Sequence, residues 1–167
     1  VEGLGLEVRG DFGLNVFNSR ALAFLRELGL ASATVSFELR HQQVRDLAKL
    51  LPCEGIVYGR LPLMVMENCI TKNNVGCRHG AGSTLTDRTG AQFPVQCVYG
   101  CRNEIENSLP LFLADKAEWR GCGLTSARLR FTTETADECA AVLRRYRGEG
   151  DYTPEKYTRG LFYRGVE

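Results

Sequence analysis

The sequence predicts an α/β fold in which a parallel sheet is interrupted by an antiparallel hairpin. Three observations lead there. Short β-branched segments alternate with amphipathic ones over residues 7–58, a polar, glycine-rich stretch at 68–82 breaks the rhythm, and the rhythm resumes over 127–147. A β-α-β-α-β alternation is the pattern of parallel strands whose crossover helices lie on the sheet.

The elements follow in order. Residues from Glu7 to Val16 read as extended. Ser19 is placed to cap a helix carrying Ala21, Leu22, Leu25 and Leu28 on one face, with Gly29 as its stop. Ala33-Thr34-Val35-Ser36-Phe37 reads as a strand, and a polar helix runs from about Gln42 to Leu50, where Pro52 ends it. Gly55–Tyr58 makes the next strand. Further on, Leu85-Thr86 and Phe93-Pro94-Val95 flank Asp87-Arg88-Thr89-Gly90, a hairpin turn with glycine at the left-handed position. Ala127–Phe131 is a strand, and Thr135-Ala136-Asp137-Glu138 fits a capping box. The helix it opens runs to Arg147, with Cys139, Val142, Leu143 and Tyr146 on one stripe. Tyr157 to Glu167 is aromatic and basic and is expected to fold back onto the body.

Four strands of parallel type result. A closed eight-stranded barrel takes ~250 residues, and 167 are too few. The chain is therefore either half of a TIM-type (β/α) barrel, completed by a preceding segment or a second copy, or a small open sheet with an inserted hairpin. The local pattern leaves both open. The expected divisions are βα units of a partial barrel at 1–67, a cysteine-rich loop and hairpin at 68–108, a final βα unit at 109–150 and a tail at 151–167.

Composition narrows the function. Hydrophobic residues at 44% and charged residues at 25% exclude a disordered or low-complexity chain. Twenty-one basic against twenty acidic residues leave no overall electrostatic footprint for nucleic acid. No apolar run approaches the ~18 residues that span a bilayer, and VEGLGLEVRG has no signal-peptide architecture. The expectation is a soluble, cytoplasmic protein without a membrane partner. Seven cysteines are an odd number and too sparse for a disulfide scaffold. In a reducing compartment they point to thiol chemistry or metal binding.

Four of them, Cys69, Cys77, Cys97 and Cys101, fall in the irregular middle and bracket the hairpin. Clustered thiols on loops suit a soft metal or an iron–sulfur cluster, because thiolates must converge from several directions. The spacing matches neither the bacterial ferredoxin run nor a paired zinc ribbon, so four ordinary free cysteines around a hairpin are the other reading. Cys139, on an apolar stripe, and Cys53, after a proline turn, read as structural, and Cys122 reads as a turn residue. His79, beside Cys77, would complete a zinc site in place of a thiol, and His41 opens a helix as a solvated residue.

Chemistry on parallel strands sits at their C-terminal ends. Glu38, Arg60 and Thr132 each follow such an end. Glu38 and Arg60 are expected on one rim as catalytic residues, where an arginine fork suits a carboxylate or phosphate. A plain interstrand ion pair is the alternative. Asn15 and Asn18 read as turn or cap residues. Arg159 and Arg164, with Tyr163 between them, read as a nucleic-acid contact or a solvated tail.

Several motifs carry a family resemblance. Asn15-Val16-Phe17-Asn18-Ser19, Gly59-Arg60-Leu61-Pro62-Leu63-Met64 and Glu67-Asn68-Cys69 resemble the collagenase-like peptidase family U-32. So do Leu85-Thr86-Asp87-Arg88, Phe93-Pro94-Val95, Cys101-Arg102-Asn103-Glu104-Ile105 with Asn107-Ser108, and Thr158-Arg159-Gly160-Leu161-Phe162-Tyr163-Arg164-Gly165. The likeness runs in order from near residue 11 to the end. It implies the C-terminal part of a longer protein whose α/β barrel begins upstream, completed by that missing N-terminal segment or by a second copy. It further implies a four-iron four-sulfur cluster on Cys69, Cys77 and Cys97, with Cys101 matching a Cys-Arg form of close relatives. Some members carry a cysteine where this chain has Pro62, so four thiolates are available when both Cys97 and Cys101 serve. Arg102, Glu104 and Asn107 would then surround the cluster and hydrogen-bond its sulfurs.

Three functions compete. The first is an iron–sulfur enzyme of oxygen-independent hydroxylation, acting on RNA or a small aromatic ring, as the family's members do. The second is a peptidase, as the family is named. The chain has no Gly-x-Ser-x-Gly elbow or His-Glu-x-x-His helix, so a protease would need His79 with Cys77 or Cys69. The third is a non-enzymatic module with structural zinc.

Overall fold

The computed structural model of the chain describes residues 4–76, 83–99 and 101–166, so Cys77 and His79 lie outside the described residues. Among those described, the strands are β1 (Arg9–Gly10), β2 (Ser32–Thr34), β3 (Cys53–Gly59), β4 (Pro62–Met66), β5 (Ser83–Thr86), β6 (Gln92–Val98), β7 (Arg102–Glu106), β8 (Leu111–Phe112) and β9 (Ser126–Arg130). The helices are α1 (Ser19–Glu27), α2 (His41–Leu47), α3 (Ile70–Val75), α4 (Glu118–Gly121) and α5 (Ala136–Arg147). The fold is mixed α/β with two sheets and no closed barrel among the described residues.

Strand β3 organises the first sheet. Its Glu54 pairs with Thr34 of β2 on one edge and Ser126 of β9 on the other, both parallel, and β1 adds outside β2. These are the four parallel strands expected. At its far end, Tyr58 and Gly59 pair antiparallel with β8 while still paired with β9. Gly59 lies in this double pairing at φ +114°, and a Cβ there would stand 1.9 Å from the Arg130 carbonyl oxygen. Only glycine fits so close an approach.

One face of this sheet is apolar and helix-covered. Ala33, Val35 and Cys53 pack with Leu22 of α1 and Val44 and Leu47 of α2. Leu129, on the same face, lies in the cluster of Val142 and Tyr146 of α5. On the other face, Arg128 bridges Asp11 and Glu54, and Thr34 Oγ1 donates to Glu54 at 2.8 Å. The ring of Phe12 lies within 6 Å of both the Arg128 and Arg130 guanidiniums.

The expected hairpin is present, Leu85 opposite Phe93 and Thr86 opposite Gln92, and Asp87 Oδ1 holds its turn through the N–H groups of Thr89 and Ala91. It belongs to a larger element. β6 continues into β7, and β4 pairs with β7, giving a four-stranded antiparallel sheet in the order β4-β7-β6-β5. Pairing on the polar strand β7 escapes an apolar-pattern reading, because two of its buried positions are glutamates held by Arg130, at 2.7 Å for Glu106.

Local signals mostly hold. Thr135 and Glu138 form the capping box of α5, and Gly148 ends it at φ +82°. Along its stripe Val142 and Tyr146 are buried, whereas Leu143 is exposed and Cys139 half-buried. The cap of α1 is Asn18, not Ser19, and its Oδ1 accepts from the N–H of Ala21 at 2.9 Å. The first extended stretch shrinks to β1 and a bridge at Val16, because a 3₁₀ turn at Phe12–Leu14 breaks it and Asn15 closes that turn in the left-handed region. The C-terminal segment folds back as expected. Thr158 exchanges backbone bonds with Pro110 and Phe112, and Phe162 packs against both apolar clusters.

Candidate metal centre

Two of the four middle cysteines meet over one buried amide. Cys97 on β6 lies directly across the ladder from Asn103 on β7, and Met66 of β4 flanks Asn103 on its other side. Cys69 follows β4 and is the N-cap of α3, its sulfur accepting from the N–H of Lys72 at 3.3 Å. Asn103 is fully buried. Its Oδ1 accepts from the N–H of Ile70 at 2.8 Å, which turns the NH₂ group toward the thiols. Nδ2 donates to Cys97 Sγ at 3.5 Å and to Cys69 Sγ at 3.7 Å.

The same contacts favour the charged form of Cys69. The N–H of Lys72, foremost, with the Asn103 amide, the Thr71 N–H and the Cys97 thiol, holds the Cys69 thiol below its ordinary value, against the opposing effect of burial. A thiolate is the form that binds metal. Thr71, itself buried, ties α3 to β5 through Ser83 at 3.0 Å. The start of α3, β5, β6 and β7 thus frame the two sulfurs.

Cys101 sits in the β6–β7 turn, exposed, one residue before β7. Among the described residues no group of three or more His, Cys, Asp and Glu side chains converges to hold a metal ion. Two thiols, Cys69 and Cys97, converge, Cys101 does not join them in a group of three, and Cys77 lies outside the described residues.

The residues expected to surround the sulfurs do otherwise. Strand alternation sends Arg102 and Glu104 to the face opposite Asn103. There Arg102 pairs with Glu67 at 2.7 Å and Glu104 with Arg130. Asn107 lies past the strand, and its Oδ1 accepts from the N–H of Leu109 at 3.2 Å. Asn103 is the residue that sequence reasoning passed over. Its signal was parity: once the β6–β7 hairpin is recognised, the residue opposite Cys97 shares its face.

Glu38 and Arg60 follow neighbouring parallel strands, but no ion pair joins them among the described residues. Arg60 instead donates from Nε to Thr133 Oγ1 at 3.2 Å and from Nη1 to the carbonyls of Asn107, at 2.9 Å, and Ser108. Glu38 is half-buried.

Cys53 and Cys122 pack in the apolar core. Burial pushes the fully buried Cys53 thiol up to about 11, and its sulfur donates to the Leu51 carbonyl at 3.2 Å. Cys122, also raised by burial, donates to the Glu118 carbonyl at 3.0 Å. His41 is not freely solvated, since its ring packs on Phe162 and Tyr163. Arg159 is tied to Asp115 through both Nη groups, at 2.6 and 2.7 Å.

Comparison of this chain with protein-family models, with curated proteins and with solved structures finds no match in any of the three.

Proposed function

We propose that this chain holds a four-iron four-sulfur cluster on Cys69, Cys77, Cys97 and Cys101, as part of a protein of the oxygen-independent hydroxylation type. The observation that supports a thiolate centre is the convergence of the Cys69 and Cys97 sulfurs on the buried Asn103 amide. Two thiols gathered around one donor, with a backbone N–H on the first, form a local field that stabilises negative sulfur. A bound cluster supplies one-electron transfer. The chain's own residues fix its ligands, with Asn103 as the shared donor and the cap of α3 as the anchor for Cys69.

The substrate class, an RNA base or a small aromatic ring, rests on the motif resemblance alone. The half-barrel reading has support in the one-sided helix cover of the parallel sheet, whose other face carries Thr34, Glu54, Arg128 and Arg130. Among the described residues its outer strands β1 and β9 each have one partner, and Leu63, Met64 and Val65 of edge strand β4 are all more than half exposed. These edges suit a covering segment, either a preceding stretch of chain or a second copy.

Anaerobic reconstitution with ferrous iron and sulfide tests the proposal. About four irons and four sulfides per chain, with broad visible absorption, are expected for such a cluster. Colourless protein with stoichiometric zinc would overturn it in favour of a structural zinc module. Cleavage of unstructured peptides that survives loss of both Cys69 and Cys97 would overturn it in favour of a peptidase.

A further inference from the structure

A cleft of about 490 Å³ opens beyond the C-terminal ends of β3 and β9, and none of its lining residues is a cysteine or Asn103. Its volume lies within the ~300–1,000 Å³ range of small-molecule sites. Five separate stretches of chain build it: the end of β3, the start of β6, residues 108–110, the β9–α5 connection with the first turn of α5, and residues 152–156. The phenol-bearing residues Tyr58 and Tyr152 line it, and Tyr58 is 1% exposed. Burial foremost, then the neighbouring Glu134 carboxylate, pushes the Tyr58 phenol above its ordinary value, so phenol and carboxylate adjoin within the cleft.

Its charges are unusual in their pairing. Glu134, Glu138 and Glu155 supply three carboxylates and Arg60 and Lys156 two cations. Among the described residues none of the five is in an ion pair, with one another or with anything else. Three are nevertheless held in place. Glu134 Oε2 accepts from the N–H groups of Thr132 and Thr133 at 2.8 and 3.0 Å, and Glu138 Oε2 from the N–H and hydroxyl of Thr135 at 2.7 and 2.9 Å. These bonds use Oε2 of each carboxylate, and the Glu134 carboxylate also faces the Tyr58 phenol. Arg60 is fixed through Nε and Nη1 on uncharged oxygens only, and Nη2 takes part in none of those bonds.

Charges of both signs, prepositioned and unneutralised around one cavity, complement a ligand that carries both signs itself. Because the framework bonds already restrain the side chains, little ordering cost falls on binding. We propose that this cleft binds a small zwitterion of the amino-acid or dipeptide class. Its ammonium group meets the Glu134, Glu138 and Glu155 carboxylates beside the tyrosine rings, and its acidic group meets Arg60 and Lys156.

The test is calorimetric titration of the chain with the L-amino acids and their glycyl dipeptides. For each binder, the N-acetylated and decarboxylated analogues are titrated alongside. At least one zwitterion is expected to saturate below ~1 mM, with each analogue about tenfold weaker or worse. Glu155→Gln and Lys156→Met alter exposed side chains. Each is expected to weaken binding about fivefold while leaving the thermal midpoint unchanged. The proposal is overturned by no saturable heat up to ~10 mM for any probe, by an analogue that binds as tightly as its parent, or by binding that both variants leave intact.

Discussion

Asn103 joins Cys69 to Cys97: one fully buried carboxamide donates to both sulfurs, at 3.7 and 3.5 Å, while its oxygen accepts from the N–H that opens α3. Because a single side chain serves three partners, its replacement separates fold from thiol chemistry. Asn103→Leu leaves the Ile70 N–H without its acceptor, at a cost of about 1–3 kcal/mol. Asn103→Asp keeps that acceptor and sets a carboxylate oxygen against both sulfurs. The leucine variant is expected to lose both stability and bound iron. The aspartate variant should hold its urea midpoint nearer the wild type yet retain less iron, read by urea denaturation beside iron analysis. Equal iron content in all three proteins would show that Asn103 does not act on the sulfurs.

The second expectation concerns the α5–sheet contact. The Tyr146 hydroxyl donates to the Val57 carbonyl at 2.6 Å and accepts from the N–H of Leu113 at 3.0 Å, tying α5 to β3 and to the residue after β8. Tyr146→Phe keeps the ring packing on Tyr58, Phe112 and Trp119 and strands two buried backbone groups. The expected loss is about 2 kcal/mol. For a chain of this length that is a fall of roughly 4–8 °C in Tm by calorimetry. An unchanged Tm would mean that water replaces the hydroxyl.

These two sites show which parts of the molecule the sequence makes legible. The strand around Gly55–Tyr58 and the capping box at Thr135 and Glu138 are local signals, complete within a few residues, and the structure keeps both. β7 is illegible by the same logic. Arg102-Asn103-Glu104-Ile105-Glu106 looks solvated, yet its last four residues are buried, because Arg130 arrives from a strand far along the chain to hold two of its glutamates. α3 was hidden too, since Thr71, Asn73 and Asn74 are poor helix formers and its cap is a cysteine. At the candidate centre the cysteines were visible, but the donor between them depended on knowing the β6–β7 register.

A third expectation is a pH slope set at Glu106. This carboxyl is fully buried, shares Arg130 with Glu104, and among the described residues its Oε1 has no partner. Burial, foremost, holds it above the ordinary glutamate value despite Arg130. The folded state therefore binds this proton more tightly than the unfolded chain, so stability falls as pH rises from about 4.3 through the raised value. Asp115, lowered by Arg159, and Glu138, lowered by the N–H and hydroxyl of Thr135, act with the opposite sign and only as the pH falls below about 4. Urea midpoints across roughly pH 4.5–8 are expected to decline in the wild type and to decline less in Glu106→Gln. Parallel curves for the two proteins would remove Glu106 as the source.

The most direct measurement of the central claim is a serine scan of the cysteines, each variant reconstituted anaerobically and assayed for bound iron and sulfide. Cys69→Ser and Cys97→Ser are expected to lose most of both. Cys53→Ser and Cys122→Ser, whose thiols bond only to backbone carbonyls, should retain as much iron per folded chain as the wild type. Full iron content in the Cys69 and Cys97 variants, or equal loss from all four, would contradict a metal centre built on the Cys69–Asn103–Cys97 bridge.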